Sequence, residues 1–182
     1  MLKRFTFLAI TALILQGCGI AMPRYEANFD NVQVLKNQAP LAKLNSPAVV
    51  ADAGQDSIVA RANPIRSPEG SISKHVQKAL EDELRLAGLL DASASRHLDV
   101  NLRQSKLDAP IGTGSGAISA DFNLREGERS LYSSSKTVTS TWDSSFVGAI
   151  AIPAAANAFN PLVRKLLAEL YQDPAFINAM QQ

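Results

Sequence analysis

Two stretches of alternating polar and apolar residues, and a third stretch rich in serine, threonine and valine, constrain the fold of this chain more than any other feature. They span His97 to Leu107, Ala117 to Arg125 and Ser130 to Trp142. A period of two places one set of side chains on a buried face and the other in water, as in half-buried strands. Short connections separate the three stretches, so they predict an antiparallel meander with one wet face.

A glycine-rich run from Gly112 to Gly116 lies between the first two stretches, and we interpret it as a flexible loop. It is neither a phosphate-binding loop nor a nucleophile elbow, because both of those motifs run directly into a helix. The residues after Gly116 alternate as a strand instead. Between the second and third stretches, Glu126-Gly127-Glu128 predicts a tight turn.

The clearest helical pattern precedes the strands, from Ser71 to Gly88. Apolar residues recur at helical spacing along one face, with Ser71 as the N-cap and Gly88 just past the end. The charged residues lie mainly on the other side and predict a solvated helix face. His75 in this helix and His97 in the first strand are expected to be surface histidines.

A second helical region follows the third strand. The segment from Asp143 to Asn160 is apolar and rich in small residues, which predicts a helix capped by Asp143 or Ser144. Pro161 either starts a new helix or kinks a longer one, because proline fits the first turn but interrupts an interior. Asp173-Pro174 predicts the start of a short last helix.

The region before Ser71 is rich in proline, glycine and asparagine, and its apolar runs are short. We expect strands at Asn31 to Leu35, Ala48 to Ala51 and Ser57 to Arg61. The resulting order of elements predicts one α+β domain over residues 31–182. Its architecture is a mainly antiparallel sheet of about four strands with two main helices packed on one face.

The N-terminus has the features of a cleaved signal. Lys3 and Arg4 precede an apolar run from Phe5 to Leu15, which is the length of a signal-peptide core and too short for a membrane span. The run ends in the residues Leu15, Gln16, Gly17 and Cys18. This sequence resembles the lipobox of bacterial lipoproteins, although Gln16 replaces the small or β-branched residue more common at that position.

The lipobox resemblance implies a signal peptide over residues 1–17 and acylation of Cys18, with residues 18–30 as the lipidated cysteine and a tether. Two or three acyl chains, palmitate among them, anchor a protein stably to a membrane. In such lipoproteins the residue after the cysteine sorts the protein between the two membranes of a Gram-negative cell. Gly19 implies the outer membrane, with the domain facing the periplasm.

Charge and cysteine content exclude several function classes. The 182-residue chain has a formal net charge of +1, and loss of Lys3 and Arg4 leaves 16 basic against 17 acidic residues. A nearly neutral domain is not a strongly basic nucleic-acid binder, and we expect no nucleic-acid partner. A single cysteine excludes a disulfide framework and a multi-cysteine zinc site.

No pattern in the sequence predicts catalysis, so we expect no enzyme, no catalytic residues, no metal and no cofactor. His75 and His97 lack the spacing of metal ligands. Glu81, Asp82 and Glu83 are adjacent, but consecutive helical residues point in different directions and do not form a carboxylate pair.

The sequence leaves two roles for the segment from Phe146 to Ala158. Its lack of charge fits a helix buried in the core, or an apolar patch that docks a partner or a lipid chain. The candidate contact residues of such a patch are Trp142, Phe146, Val147 and Ile150.

From about Ser71 onward the layout resembles small outer-membrane lipoproteins of the YajG type. It is also similar to the auxiliary lipoproteins of ABC-type lipid-transport systems, the PqiC type. The residues that carry the resemblance are Leu86-Ala87-Gly88, Leu98 to Leu102, the glycine run and the ending Leu166 to Ile177. The resemblance implies a non-enzymatic protein of the cell envelope.

Two functions are consistent with these features. The first is a non-catalytic outer-membrane lipoprotein whose periplasmic domain binds an envelope protein or complex. The alternative is an auxiliary lipid-binding subunit of an ABC-type lipid-transport system, which requires an apolar groove between sheet and helices. The oligomeric state stays open.

Overall fold

A computed structural model describes residues 19–38 and 40–181 of the chain. The predicted signal peptide and the lipobox, including Cys18, lie outside these residues. The described elements follow one another in the order β1 (Ile20–Ala21), α1 (Phe29–Lys36), β2 (Ala48–Ala51), β3 (Ile58–Ala60), β4 (Asn63–Arg66), α2 (Ile72–Leu86), β5 (Arg96–Asp108), β6 (Gly112–Glu126), β7 (Arg129–Ser144), α3 (Gly148–Tyr171) and α4 (Pro174–Gln181).

The expected α+β class is confirmed, and the larger sheet has the strand order β2-β5-β6-β7. Strands β5, β6 and β7 form the predicted antiparallel meander, with Leu98 opposite Leu124 and Leu124 opposite Tyr132. Strand β2 instead pairs in parallel with β5. The sheet is therefore mixed, because the chain crosses over through β3, β4 and α2 before it returns to β5.

The expected loop at Gly112 to Gly116 is wrong, since these residues form the start of β6. Gly114 lies opposite Trp142 in the strand pairing. A Cβ atom at Gly114 would overlap the indole ring, and one at Gly116 would lie 2.6 Å from Leu162. These glycines therefore make room for an aromatic ring and a helix on the inner face of the sheet.

A second sheet, not predicted from the sequence, has the order β1-β4-β3. The strands expected at Ala48–Ala51 and around Ile58–Ala60 are present. The strand expected at Asn31 to Leu35 is wrong, because these residues lie in α1. The side chain of Asn28 caps this helix by accepting a hydrogen bond from the Asn31 amide, and burial of Val32 and Leu35 follows helical spacing.

Helix α2 starts where the sequence predicts, with the Ser71 side chain accepting from the Lys74 amide. Helix α3 is a single helix of 24 residues that contains both Pro153 and Pro161. The expected caps at Asp143 and Ser144 are wrong, because β7 continues to Ser144 and the helix begins at Gly148.

One core joins the inner face of the larger sheet to the helices, with α3 packed on β6 and β7 and α2 on β2. Its largest completely buried side chains include Phe122, Phe159 and Tyr171. Among the helices in the described ranges, none is long and apolar enough to cross a membrane.

Candidate functional site

The residues that follow Cys18 pack directly against the domain, although we expected a tether over residues 18–30. Ile20 and Ala21 pair in parallel with Ile65 and Arg66, and the amide of Met22 donates to the carbonyl of Arg66 at 2.9 Å. Met22 belongs to the hydrophobic core. Residues 20–28 are therefore held in the fold.

Glu83 of α2 binds this N-terminal segment from inside the protein. Its Oε1 accepts from the Tyr25 hydroxyl at 2.6 Å and from the Asn28 amide at 2.9 Å, and its Oε2 accepts from Nδ2 of Asn31 at 3.2 Å. The Glu83 side chain is 0% exposed. Burial raises the pKa of Glu83 above its ordinary value, although the donors around it oppose that change.

Burial and the neighbouring Glu83 carboxylate likewise raise the pKa of the Tyr25 hydroxyl. Tyr25 therefore stays protonated and acts as a hydrogen-bond donor to Glu83. Together with Asn28 and Asn31, it covers the carboxylate with donors from the N-terminal segment.

His75 gives a second link between α2 and the N-terminal segment, and the expectation of a surface histidine is wrong because its exposure is 0%. Its Nδ1 lies 2.9 Å from a carboxylate oxygen of Glu69, and its Nε2 lies 2.7 Å from Oδ1 of Asn160. Nδ2 of Asn160 donates to the backbone carbonyls of Pro23 and Arg24 at 3.1 Å and 3.0 Å. Asn160 is thus a bridge between two helices and the N-terminal segment.

These buried groups were missed in the sequence because charged and polar residues of a helix were assigned to its wet face. A signal was present, since His75 and Glu83 lie three residues from apolar residues of the buried stripe, Ile72 and Leu80. Both side chains are buried and hydrogen-bonded to other protein groups. Their arrangement is therefore that of structural contacts, which hold the N-terminal segment against the helices. We call Tyr25, Asn28, Asn31, Glu83, His75 and Asn160 the N-terminal clasp.

No metal-binding cluster of three or more histidine, cysteine, aspartate or glutamate residues occurs in the part of the chain that the structure describes. On the outer face of the larger sheet, Arg103 lies between Asp52 at 3.1 Å and Asp121 at 3.3 Å. Such exposed ion pairs contribute little to stability.

An exposed apolar surface lies at the end of the sheet where β5 meets β6 and β7 meets α3. Phe146 is 76% exposed, Ile150 is 60% exposed, and Val147 is about half exposed. Ile111 in the β5–β6 connection is 67% exposed. It lies at the same end of the sheet, because the next residue, Gly112, pairs with Ser144. We call Ile111, Phe146, Val147 and Ile150 the apolar tip.

The apolar tip contains three of the four contact residues expected from the sequence. The fourth, Trp142, is partly buried and packs against the core beside Gly114. Ile111 was missed, because only the strand register shows that the β5–β6 connection lies beside Phe146.

Arg61 joins the parts of the tip through its guanidinium group. It donates to the backbone carbonyls of Ser145 at 2.7 Å and Phe146 at 3.1 Å, and to the carbonyl of Ala109 in the β5–β6 connection. Arg61 and Ala62 form the β3–β4 turn with φ angles of 48° and 61°. Residues other than glycine are strained in this left-handed region, so the turn is held there by its contacts.

No family model matches the sequence, and no curated protein is significantly similar to it. Among solved structures, the chain is similar to a protein of the DUF330 family from Xanthomonas campestris, with a TM-score of 0.63 and 16% identity over 90% of this chain and 98% of that one. It is also similar to a minor lipoprotein from Acinetobacter baumannii, with a TM-score of 0.46 and 8% identity over 75% of this chain and 93% of that one. The likeness to the DUF330 protein shows a shared fold.

Proposed function

We propose that the protein is a non-catalytic lipoprotein of the outer membrane, anchored through acylated Cys18, whose periplasmic domain binds an envelope protein or complex. The proposal places it with lipoproteins of the YajG and PqiC types, which its sequence resembles. The lipobox at residues 15–18 supports the anchor, because Cys18 is the only thiol of the chain and follows a signal-like apolar run.

The non-catalytic role is supported by the state of the buried polar groups. Glu83 and His75 are completely buried and engaged by Tyr25, Asn31 and Asn160, so a substrate cannot reach them. A catalytic site needs titratable groups that converge on a reachable position.

The free edge of β7 is the observation that carries the binding role. This strand has 16 residues, and no strand pairs with its outer edge in the part of the chain described here. An unpaired edge presents a row of amide and carbonyl groups that an extended segment of another protein can bind as an added strand. The opposite edge strand, β2, has only four residues.

The alternative role in lipid binding requires an apolar groove between the sheet and the helices. Phe122 on the sheet and Phe159 and Leu162 on α3 are completely buried in that layer. The centre of the layer is therefore filled, and the groove between β7 and α3 that Trp142, Ala158 and Pro161 line is open to solvent, so these features favour binding at the surface of the domain over enclosure of a lipid.

The anchor is tested by replacing Cys18 with serine in cells. We expect Cys18→Ser to abolish acylation, because the thioether requires the thiol, and to release the protein from outer-membrane fractions after a high-salt wash. Gln16→Ala is the matched control within the lipobox and is expected to leave the protein in the membrane. Retention of Cys18→Ser in washed outer membranes would contradict the proposed anchor.

The binding role is tested with a photoreactive amino acid at Thr139, which is exposed on β7, and at Leu86 as an exposed control. We expect a discrete crosslink to one other envelope protein from position 139 and none from position 86. A crosslink only to a second copy of this chain, or no crosslink from position 139, would contradict the proposed partner.

A further inference from the structure

The apolar tip lies at the end of the domain from which the proposed anchor emerges. Strand β1 runs parallel to β4, with Ile20 opposite Ile65, so one step back along both strands sets Gly19 beside Pro64. The chain therefore reaches β1 from the side of the β3–β4 turn. Arg61 in that turn binds the carbonyl of Phe146 in the tip.

Contacts along α3 give the same direction independently. Asn160 binds the carbonyls of Pro23 and Arg24, and Arg164 donates to the carbonyl of Glu26 at 3.5 Å. The N-terminal segment and α3 therefore run in the same direction, since later residues of the segment contact later turns of the helix. Followed backward, the segment runs toward the first turn of α3, which carries Ile150.

Only Gly19 lies between Cys18, the proposed anchor, and β1, the first strand of the domain. The Cα atoms of Cys18 and Gly19 are separated by about 3.8 Å of covalent chain, and Ile20 is already paired in a sheet. The N-terminal clasp then holds the chain through Asn31. An acyl group on Cys18 would therefore bring this end of the domain, with the apolar tip, against the leaflet.

We propose that the apolar tip inserts into the headgroup region of the leaflet that holds the Cys18 acyl chains, so that the domain stands on the membrane in a fixed orientation. The inference rests on the proposed acylation of Cys18. Four exposed apolar side chains at one end of the domain supply the buried area that interfacial binding needs. The exposed charges that end β5 and precede α3 are acidic, Asp108 and Asp143, so insertion is expected not to depend on anionic lipid.

The experiment attaches the anchor chemically, so that its outcome does not depend on processing in cells. Residues 18–182 are coupled through the Cys18 thiol to a maleimide lipid in vesicles of phosphatidylethanolamine and phosphatidylglycerol at about three to one. All described contacts lie within residues 19–181, so this chain retains the complete described fold. The depth of the tip is read from quenching of an added tryptophan by lipids brominated on their acyl chains.

Phe146→Trp and Ile150→Trp each place the probe on the exposed tip, with Trp142 as a background common to all proteins. Leu86→Trp is the matched control, since Leu86 is 58% exposed and ends α2. Leu90, four residues after the end of α2, pairs with Leu44, which also pairs with Arg96 at the start of β5. Arg96 is about 40 Å from Asp108 along β5. We expect the added quenching at positions 146 and 150 to exceed that at position 86 at least two-fold, with or without phosphatidylglycerol.

Equal quenching at the three positions would overturn the proposal. Shielding of position 146 from iodide without quenching by brominated lipid would also overturn it, because the tip would then be covered by protein. Retention of Cys18→Ser in washed outer membranes would contradict the proposed anchor in cells and leave the vesicle result unchanged.

Discussion

The Tyr25 hydroxyl donates a hydrogen bond of 2.6 Å to Oε1 of the buried Glu83 carboxylate, and this contact joins the N-terminal segment to α2. The residues that would follow a lipidated cysteine are thereby part of the fold. With the proposed anchor at Cys18, a rigid junction of this kind would fix the orientation of the domain relative to the membrane.

Replacement of Glu83 by alanine is expected to lower the free energy of unfolding by about 3–5 kcal/mol, because it leaves Tyr25, Asn28 and Asn31 as buried donors without their acceptor. Urea denaturation followed by circular dichroism measures the change. Glu128→Ala, in the exposed β6–β7 turn, is the control and is expected to change stability by less than about 0.5 kcal/mol. Equal effects of the two substitutions would contradict the role of the clasp.

The contact between β7 and the start of α4 is expected to weaken in acid. Burial alone would raise the pKa of Asp173, but hydrogen bonds from Lys136 at 2.6 Å and Tyr132 at 2.8 Å outweigh it and lower the pKa to about 2. A depressed pKa in the folded state stabilises the protein above the ordinary pKa of 3.8, and that stabilisation is lost as pH falls toward 2.

The test of this pH dependence compares wild type with Asp173→Asn in urea denaturation between pH 5 and pH 2. The stability difference between the two proteins is expected to be largest at pH 5 and to shrink toward pH 2. A difference that stays constant over this range would show that the Asp173 carboxylate is not coupled to folding.

The strained turn at Arg61 and Ala62 predicts a substitution that stabilises the protein. Ala62→Gly is expected to raise the free energy of unfolding by about 0.5–1 kcal/mol, because glycine adopts a φ of 61° without steric cost. Ala53→Gly, in a turn where φ is not positive, is the control and is expected to lower stability by a similar amount. Thermal unfolding of the two variants gives the sign of each effect.

The packing of Trp142 on β6 predicts the effect of a single methyl group. Gly114→Ala is expected to lower stability by about 1–3 kcal/mol and to move the tryptophan emission to longer wavelength, because the new Cβ displaces the indole ring toward water. Gly148→Ala is the control, since its Cβ would meet only Ile152 at 3.8 Å. An unchanged emission spectrum in Gly114→Ala would contradict this packing.

The sequence predicts the elements whose periodicity is long and uninterrupted. Strands β5 and β6 alternate over many residues, β7 is rich in serine, threonine and valine, and α2 has both a capping serine and a terminal glycine. In these elements the local sequence preference agrees with the tertiary packing. At Asn31 to Leu35 the signal is short, and Val32 and Val34 alternate as in a strand although Val32 and Leu35 have helical spacing. In the structure this segment is helical, and the side chain of Asn28 caps the helix.

The clasp and the tip could be predicted only in part, because both depend on contacts between distant segments. His75 and Glu83 look like solvated residues until Asn160 and Tyr25 are placed against them. Phe146, Val147 and Ile150 were identified as candidate contacts, but their exposure could not be separated from burial in the core. Their juxtaposition with Ile111 follows only from the register of β6 and β7.

The intact mass of the protein purified from outer membranes tests the proposed anchor most directly. We predict a chain that begins at Cys18 and carries two or three acyl chains, with no mature form beginning at another residue. A membrane-derived chain with an unmodified Cys18, or one that still contains residues 1–17, would contradict the anchor and the orientation that depends on it.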